Sequence, residues 1–140
     1  MVDRLTAERR SWLMSRVLSR NTTPELRVRK AAYALGLRFR LHRKDLPGRP
    51  DLVFPGRRTI LFVHGCFWHR HPGCRKTSVP STRSDYWAEK FLLNTERDIR
   101  VASELRKLGW RVVIIWECET KNADRLPTII QKRIIDESDK

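Results

Sequence analysis

The sequence predicts an α/β domain, and three observations carry that prediction. Short apolar, β-branched runs occur at Asp51–Phe54, Thr59–Val63 and Arg111–Trp116. The stretches around them carry apolar residues at helical spacing. Gly or Pro stands at most of the changes from one pattern to the other, where the chain has to turn. Helices flanking a short mixed sheet satisfy all three. With 140 residues, the chain fits a single domain over 1–140, long enough to bury roughly 70% of its unfolded surface.

The elements follow in order. Residues 6–18 form a basic amphipathic helix, with Leu13, Met14, Val17 and Leu18 clustered and Arg9, Arg10 and Arg16 around them. Asn21-Thr-Thr-Pro24 restarts the chain, with Thr23 suited to the N-cap and Pro24 to the first helical position, where its missing N–H costs nothing. The helix that follows presents Val28, Ala31, Ala32 and Leu35 and closes at Gly36. Leu37–Leu41 alternates apolar and basic residues, as a half-exposed strand does. Leu46-Pro-Gly-Arg-Pro50 is a turn into the short strand that starts at Asp51, and Pro55-Gly56 connects it tightly to the central strand Thr59–Val63. Residues 65–83 are too rich in Gly, Pro, His and Arg for regular structure. Ser84 caps a long helix to about Leu108, ended by Gly109; Arg111–Trp116 is a buried strand, and about 122–136 a last helix.

Charge narrows the function. Thirty Lys plus Arg against sixteen Asp plus Glu leave a net +14. An excess of this size repels itself in the folded state, and a polyanionic partner is its simplest account. No apolar run approaches the ~18–20 residues of a membrane span, and the first ten residues carry charges where a signal peptide needs an apolar core. The expected location is the cytoplasm, and three cysteines there favour metal binding or plain burial over disulfides.

Cys66, His69, His71 and Cys74 fall within nine residues, and Cys118 follows the last strand. Zinc takes four N or S ligands tetrahedrally, and a metal would order a loop too polar to fold by packing. Spacing does not choose between His69 and His71. Asp51, at the head of a strand hairpinned to the strand ending Val63-His64, is a candidate for fixing Mg²⁺, though Asp after Pro is also a common turn residue. His64 and His69 can serve as acid or base near neutral pH. Asp98 lies on the core-facing stripe Phe91, Thr95, Ala102, Leu105, where a carboxylate needs a partner such as an active-site histidine. Phe67-Trp68 and Tyr86-Trp87 flank the basic loop, and aromatic rings so placed can stack on bases or wedge between base steps; Trp87 equally suits the start of its helix's apolar stripe.

Gly65-Cys-Phe-Trp-His-Arg-His71, taken with Leu46-Pro-Gly-Arg-Pro-Asp51 and Gly109-Trp-Arg-Val-Val-Ile-Ile-Trp-Glu-Cys118, resembles the very-short-patch-repair (Vsr) endonucleases. The similarity extends to Arg10-Ser11, Met14, Thr22-x-Pro-Glu25 and Arg97-Asp98, covering nearly the whole chain. The resemblance implies a restriction-endonuclease-like fold and Mg²⁺-dependent nicking of double-stranded DNA 5′ to the T of a T·G mismatch. Such mismatches arise by 5-methylcytosine deamination; the products would be a 5′-phosphate and a 3′-hydroxyl. By position, Asp51 becomes the Mg²⁺ carboxylate, His64 and His69 the active-site histidines, and Asp98 and Glu25 their support. Cys66, His71, Cys74 and Cys118 become ligands of a structural Zn²⁺, and Phe67, Trp68 and Trp87 the wedge, with the N-terminal helix (1–20) and Met14 against the opposite groove. The second strand ends Phe62-Val63-His64, without the acid-x-Lys pair most restriction-like nucleases carry, so the Val63 backbone carbonyl is the implied second Mg²⁺ ligand. The resemblance also implies coupling to MutL and MutS repair proteins, and a single wedge at an asymmetric mismatch fits a monomer. Two other readings fit the residues: a zinc-stabilised DNA-binding module without catalysis, and a nuclease of the same fold with another DNA substrate.

Overall fold

A computed structural model describes residues 22–74 and 82–136; the helix expected over 6–18, with Met14, lies outside them. The first described helix, α1 (Thr23–Ala34), starts at the residue expected to cap it, one position early. Thr22, not Thr23, is the N-cap, its Oγ1 accepting the Glu25 N–H at 3.3 Å, which satisfies one of the helix's orphan donors. Pro24 still sits in the first turn. At the other end the Gly36 N–H donates to the Tyr33 carbonyl at 3.0 Å and the Leu37 N–H to the Ala32 carbonyl at 3.1 Å. This is the paired-bond C-terminal motif that calls for a left-handed residue, and Gly36 supplies φ +86°.

That closure also shortens the strand expected at Leu37–Leu41. Leu37 is occupied in ending α1, and only β1 (Arg40–Leu41) pairs, with β2 (Leu52–Phe54). β2 in turn is cut to three residues by a 3₁₀ turn at Pro55–Arg57, because proline has no N–H for a ladder. β3 (Thr59–His64) runs antiparallel to β2 and parallel to β4 (Arg111–Trp116), giving the order β1-β2-β3-β4. The parallel step needs a crossover, and α2 (Ser84–Lys107) provides it. The residue before α2, Arg83, takes the cap position in a left-handed conformation without a side-chain cap bond, so Ser84 begins the helix rather than capping it. α2 ends with the same motif as α1: Gly109 N–H to the Arg106 carbonyl and Trp110 N–H to the Leu105 carbonyl, at 3.0 and 3.1 Å.

Strand parity sorts the core into two layers, because successive strand side chains point to opposite faces. Leu52, Phe54, Leu61, Val113 and Ile115 pack with Val28 and Ala32 of α1 and with Leu126, Ile130 and Ile134. Val53 and Ile60 pack instead with Leu105 of α2, Leu46 and Trp110, joined by Phe62, Val101 and Val112. Each fully buried Leu or Ile contributes about 1.5–3 kcal/mol of this two-sided core. β4 is less buried than its apolar sequence suggests. Only Val113 and Ile115 are buried, because β4 is the edge strand among the described residues. The last helix is shorter than expected. Asn122 folds a turn, its Oδ1 accepting the Asp124 and Arg125 N–H groups. The α-helix α3 therefore spans only Leu126–Ile130, before widening to a π-helical turn over Gln131–Asp136.

Gly48, in the turn before Asp51, has φ +76°, and a Cβ there would lie 2.5 Å from Val101 Cγ1 of α2. The turn lies directly on the helix, which only glycine permits at this approach. No helix among the described residues is long and apolar enough to cross a membrane.

Candidate active site and metal centre

The antiparallel pairing of β2 with β3 brings Asp51, just before β2, to the end of the sheet where β3 delivers Val63 and His64. The Val63 N–H donates to Asp51 Oδ2 at 2.7 Å, which fixes one carboxylate oxygen on the sheet frame. Burial pushes the Asp51 pKa up to about 7; the Val63 bond works against that shift, and the nearby Glu25 carboxylate works with it. A carboxylate desolvated this far favours a proton or a cation over standing as a bare anion.

His64 continues the parity of Ile60 and Phe62 and therefore faces α2. Its ring stacks on that of His69 at 3.8 Å between centroids and 7° between planes. His69 Nδ1 donates to Asp98 Oδ2 on α2 at 2.6 Å, so the carboxylate on the apolar stripe finds a histidine partner. That bond orients the ring and leaves Nε2 for other work. Burial, then the neighbouring His69, lowers the His64 pKa to about 3. His64 is neutral at physiological pH, and its Nδ1 is buried with no partner among the described residues.

The structure also resolves where Glu25 belongs. Its Oε1 accepts from Arg29 Nη2 at 2.7 Å and from His42 Nε2 at 2.5 Å. Glu25, His42 and Asp51 form one group with a ligand atom each, all within 4.8 Å of one another. Glu25 thus lies with Asp51 rather than in the His64, His69 and Asp98 group. Sequence reading missed His42. The signal was present in the hairpin: Leu41 pairs with Leu52, and the next step along that register sets His42 opposite Asp51.

The cysteine group assembles as the spacing allowed. Cys66, His71, Cys74 and Cys118 each offer a ligand atom, all within 4.8 Å of one another, and the three cysteines are free of disulfides. His71 Nδ1 lies 3.7 Å from Cys66 Sγ and 3.4 Å from Cys118 Sγ. His71, not His69, is the histidine here, its ring stacked on Trp116 at 4.3 Å. Burial raises the Cys66 thiol to about 12 and the Cys118 thiol in the same direction. Side chains of the next turn brace the group. Glu119 accepts the Trp116 N–H at 3.0 Å and a two-pronged contact from Arg133 at 2.9 and 2.6 Å.

The aromatic residues form a cluster beside this loop. Phe67 meets Trp68, Trp87 and Phe91 edge-on, Trp87 stacks against Phe91, and the Arg70 guanidinium lies 4.0 Å over the Phe91 ring. Phe67 and Trp68 are half-buried, whereas Trp87 is buried and belongs to the apolar stripe of α2.

Residues 2–76 match the family model described as DNA mismatch endonuclease Vsr. The chain belongs to the Vsr family. It is 51% identical over 138 residues to the Type II nicking enzyme V.XorIIP of Xanthomonas oryzae pv. oryzae, covering 99% of this chain and 100% of that protein. It is 44% identical over 117 residues to the DNA mismatch endonuclease Vsr of Escherichia coli, covering 84% and 74% of the two. A third relative, the Type II nicking enzyme V.NmeAIP of Neisseria meningitidis, is 43% identical over 122 residues, covering 87% and 86%. A Vsr-family chain of this likeness is an endonuclease acting on DNA.

Proposed function

We propose that the protein nicks one strand of duplex DNA on the 5′ side of the T in a T·G mismatch, with Mg²⁺ at the reacting centre and Zn²⁺ in the cysteine loop. The observation that carries this reading is the convergence of Asp51, His64, His69 and Asp98 on one end of the sheet in a Vsr-family chain. The sheet flanked by α1 and α3 on one face and α2 on the other is consistent with a restriction-endonuclease-like domain.

The donor sets suit two different ions. Tetrahedral zinc with ordinary Zn–S and Zn–N bonds places S and N ligands about 3.6 Å apart, and the His71–Cys66 and His71–Cys118 separations of 3.7 and 3.4 Å bracket that length. Thiols raised by burial become thiolates only beside a cation, which supports Cys66, His71, Cys74 and Cys118 as its ligands. Asp51 with the Val63 backbone carbonyl offers hard oxygens, the preference of Mg²⁺. Mg²⁺ bound there would stabilise charge on the scissile phosphate and lower the pKa of a bound water.

The chain's own groups supply the rest. Asp51, held through Oδ2, presents its other oxygen to the reacting centre. Asp98 holds His69 so that Nε2 faces outward for proton transfer, and the stacked, neutral His64 limits the ways that ring can tilt. His69 then offers the proton transfer that hydrolysis requires as water adds to phosphorus and the 3′ oxygen departs, with His64 as the neutral ring stacked beside it. Phe67 and Trp68 are the candidate wedge, with the buried Trp87 and Phe91 as its floor. Insertion beside a mismatch costs less than into a paired stack, because a mismatched step is already weak.

End-labelled duplexes, matched and T·G-mismatched, incubated with Mg²⁺ beside an Asp51→Ala control, test this. Cleavage of only the T-containing strand, only at the mismatch and absent in the control, is the expected result. Binding without nicking, equal for both proteins, would indicate a non-catalytic module, and nicking blind to the mismatch would remove the assigned substrate.

A further inference from the structure

All four histidines of the chain fall in the groups described above. Three have a place in the proposed chemistry; His42 has none. Its surroundings are specific. The backbone at His42 takes a left-handed φ of 47°, uncommon for a residue with a Cβ although His tolerates it better than most. That bend stands directly after β1, and there the ring reaches Glu25 on α1, 17 positions earlier, at 2.5 Å. Glu25 is 2% exposed, and a carboxylate so buried must be hydrogen-bonded or abandon its charge.

We propose that His42 is a positioning residue that holds Glu25 beside Asp51, so that the two carboxylates act as one divalent-cation-binding pair. The inference rests on the proposed metal site at Asp51 and extends it. Carboxylates within 4.8 Å of each other repel whenever both are ionised, as binding a cation between them requires, so a restraint from the protein must hold them in place for the ion. Arg29 offsets part of that repulsion, its charge also reaching Asp51, but as a residue of the same helix as Glu25 it does not tie α1 to β1. His42 comes from the sheet. It fastens the helix-borne carboxylate to the hairpin that carries Asp51, across a register that sets residues 42 and 51 opposite each other. Both bonds from the described residues fall on Oε1, which fixes the plane of the carboxylate and with it the direction of Oε2.

The test uses the zinc-loaded full chain without DNA, titrated calorimetrically with Mn²⁺ as the probe ion. The proteins are wild type, His42→Ala, His42→Gln, Glu25→Gln and the Glu25→Gln/His42→Ala double variant. Loss of a partner that orients a ligand weakens metal binding about 10–100-fold, and His42→Ala should fall in that range. His42→Gln, which keeps a donor, should recover most of the loss. In the Glu25→Gln background, removing His42 should change affinity by less than about twofold, since its target is already altered. Zinc content and the far-UV spectrum should match wild type throughout. Unchanged Mn²⁺ affinity in His42→Ala, or equal penalties in both backgrounds, would overturn the inference while leaving the metal site standing. Wild-type protein that binds no Mn²⁺, or binds it equally after Asp51→Ala, would remove the metal site itself and His42's role with it. Should His42→Ala not fold, His42→Gln against Glu25→Gln still decides, since a positioning donor predicts near-wild-type binding in the first and a loss in the second.

Discussion

Two groups of side chains share Trp116 as a wall and are built on opposite rules. On one side His71 stacks against the indole at 4.3 Å; on the other His64 meets it edge-on at 5.4 Å. The cysteine group is soft and closed. Its four donors all come from the protein, and Cys66 at its centre has no exposed surface. The carboxylate and histidine group is hard and open, with His69 and Asp98 each about one-fifth exposed. A closed set leaves an ion no position for substrate and so yields order; an open set leaves a position and so yields reactivity. On the proposed reading, the loop that starts from His64 separates two tasks at neighbouring points of one frame.

That separation breaks first, and most severely, at Cys118. Cys118→Ser should lose stoichiometric zinc by elemental analysis and lower Tm by about 10 °C or more, because a structural ion adds its binding energy to folding. Unchanged metal content and Tm would mean that the loop does not depend on an ion. Next comes Asp98→Ala, which takes away the orientation of His69. Nicking should slow about 10–100-fold in kcat with KM for the duplex and zinc content unchanged; loss of zinc in this variant would show that the two groups are not independent.

The smallest effect sharpens the contrast through pH. Burial raises the Asp51 pKa from 3.8 to about 7, so the metal-free folded chain keeps a proton that the unfolded chain releases. The stability this group contributes is complete below pH 3.8 and is lost as the pH rises through 7. Asp51→Asn, which still accepts the Val63 N–H, should match wild type near pH 4. At pH 8, with no Mg²⁺ added, it should be the more stable by about 1–2 kcal/mol, a figure discounted for the partial exposure of the site. Denaturant unfolding at the two pH values measures it, and a gap that is equal at both would show that Asp51 is not desolvated.

Much of the frame was legible in sequence because it rests on local signals. Thr59–Val63 and Arg111–Trp116 are apolar enough to be strands in any context, and Gly36 and Gly109 mark helix ends that only a left-handed residue can make. What escaped depends on competition between neighbours. The alternation at Leu37–Leu41 reads as a strand, yet the end of α1 claims Leu37 first; Asn122 and its turn likewise take the start of the last helix. Within the candidate site, residue type and spacing singled out the cysteines, whereas Asp51 suits an ordinary turn equally well and Asp98 an ordinary ion pair, so their expected roles came from the family resemblance. The partners of Glu25 were hidden, because its bond to His42 depends on how α1 lies over the sheet. The Arg133–Glu119 brace, between residues 14 apart, is equally invisible to spacing.

Gly48 carries no side chain to offer an ion or a substrate, yet it governs a dimension of the site. Its turn feeds Asp51, and it rests on Val101, less than one helical turn beyond Asp98 on α2. The gap between the two layers that carry these carboxylates is thus gauged by a side chain of no size. A single methyl at 48 is a shim for which Val101 leaves no room, so inserting one would push apart the turn and the helix that carry Asp51 and Asp98.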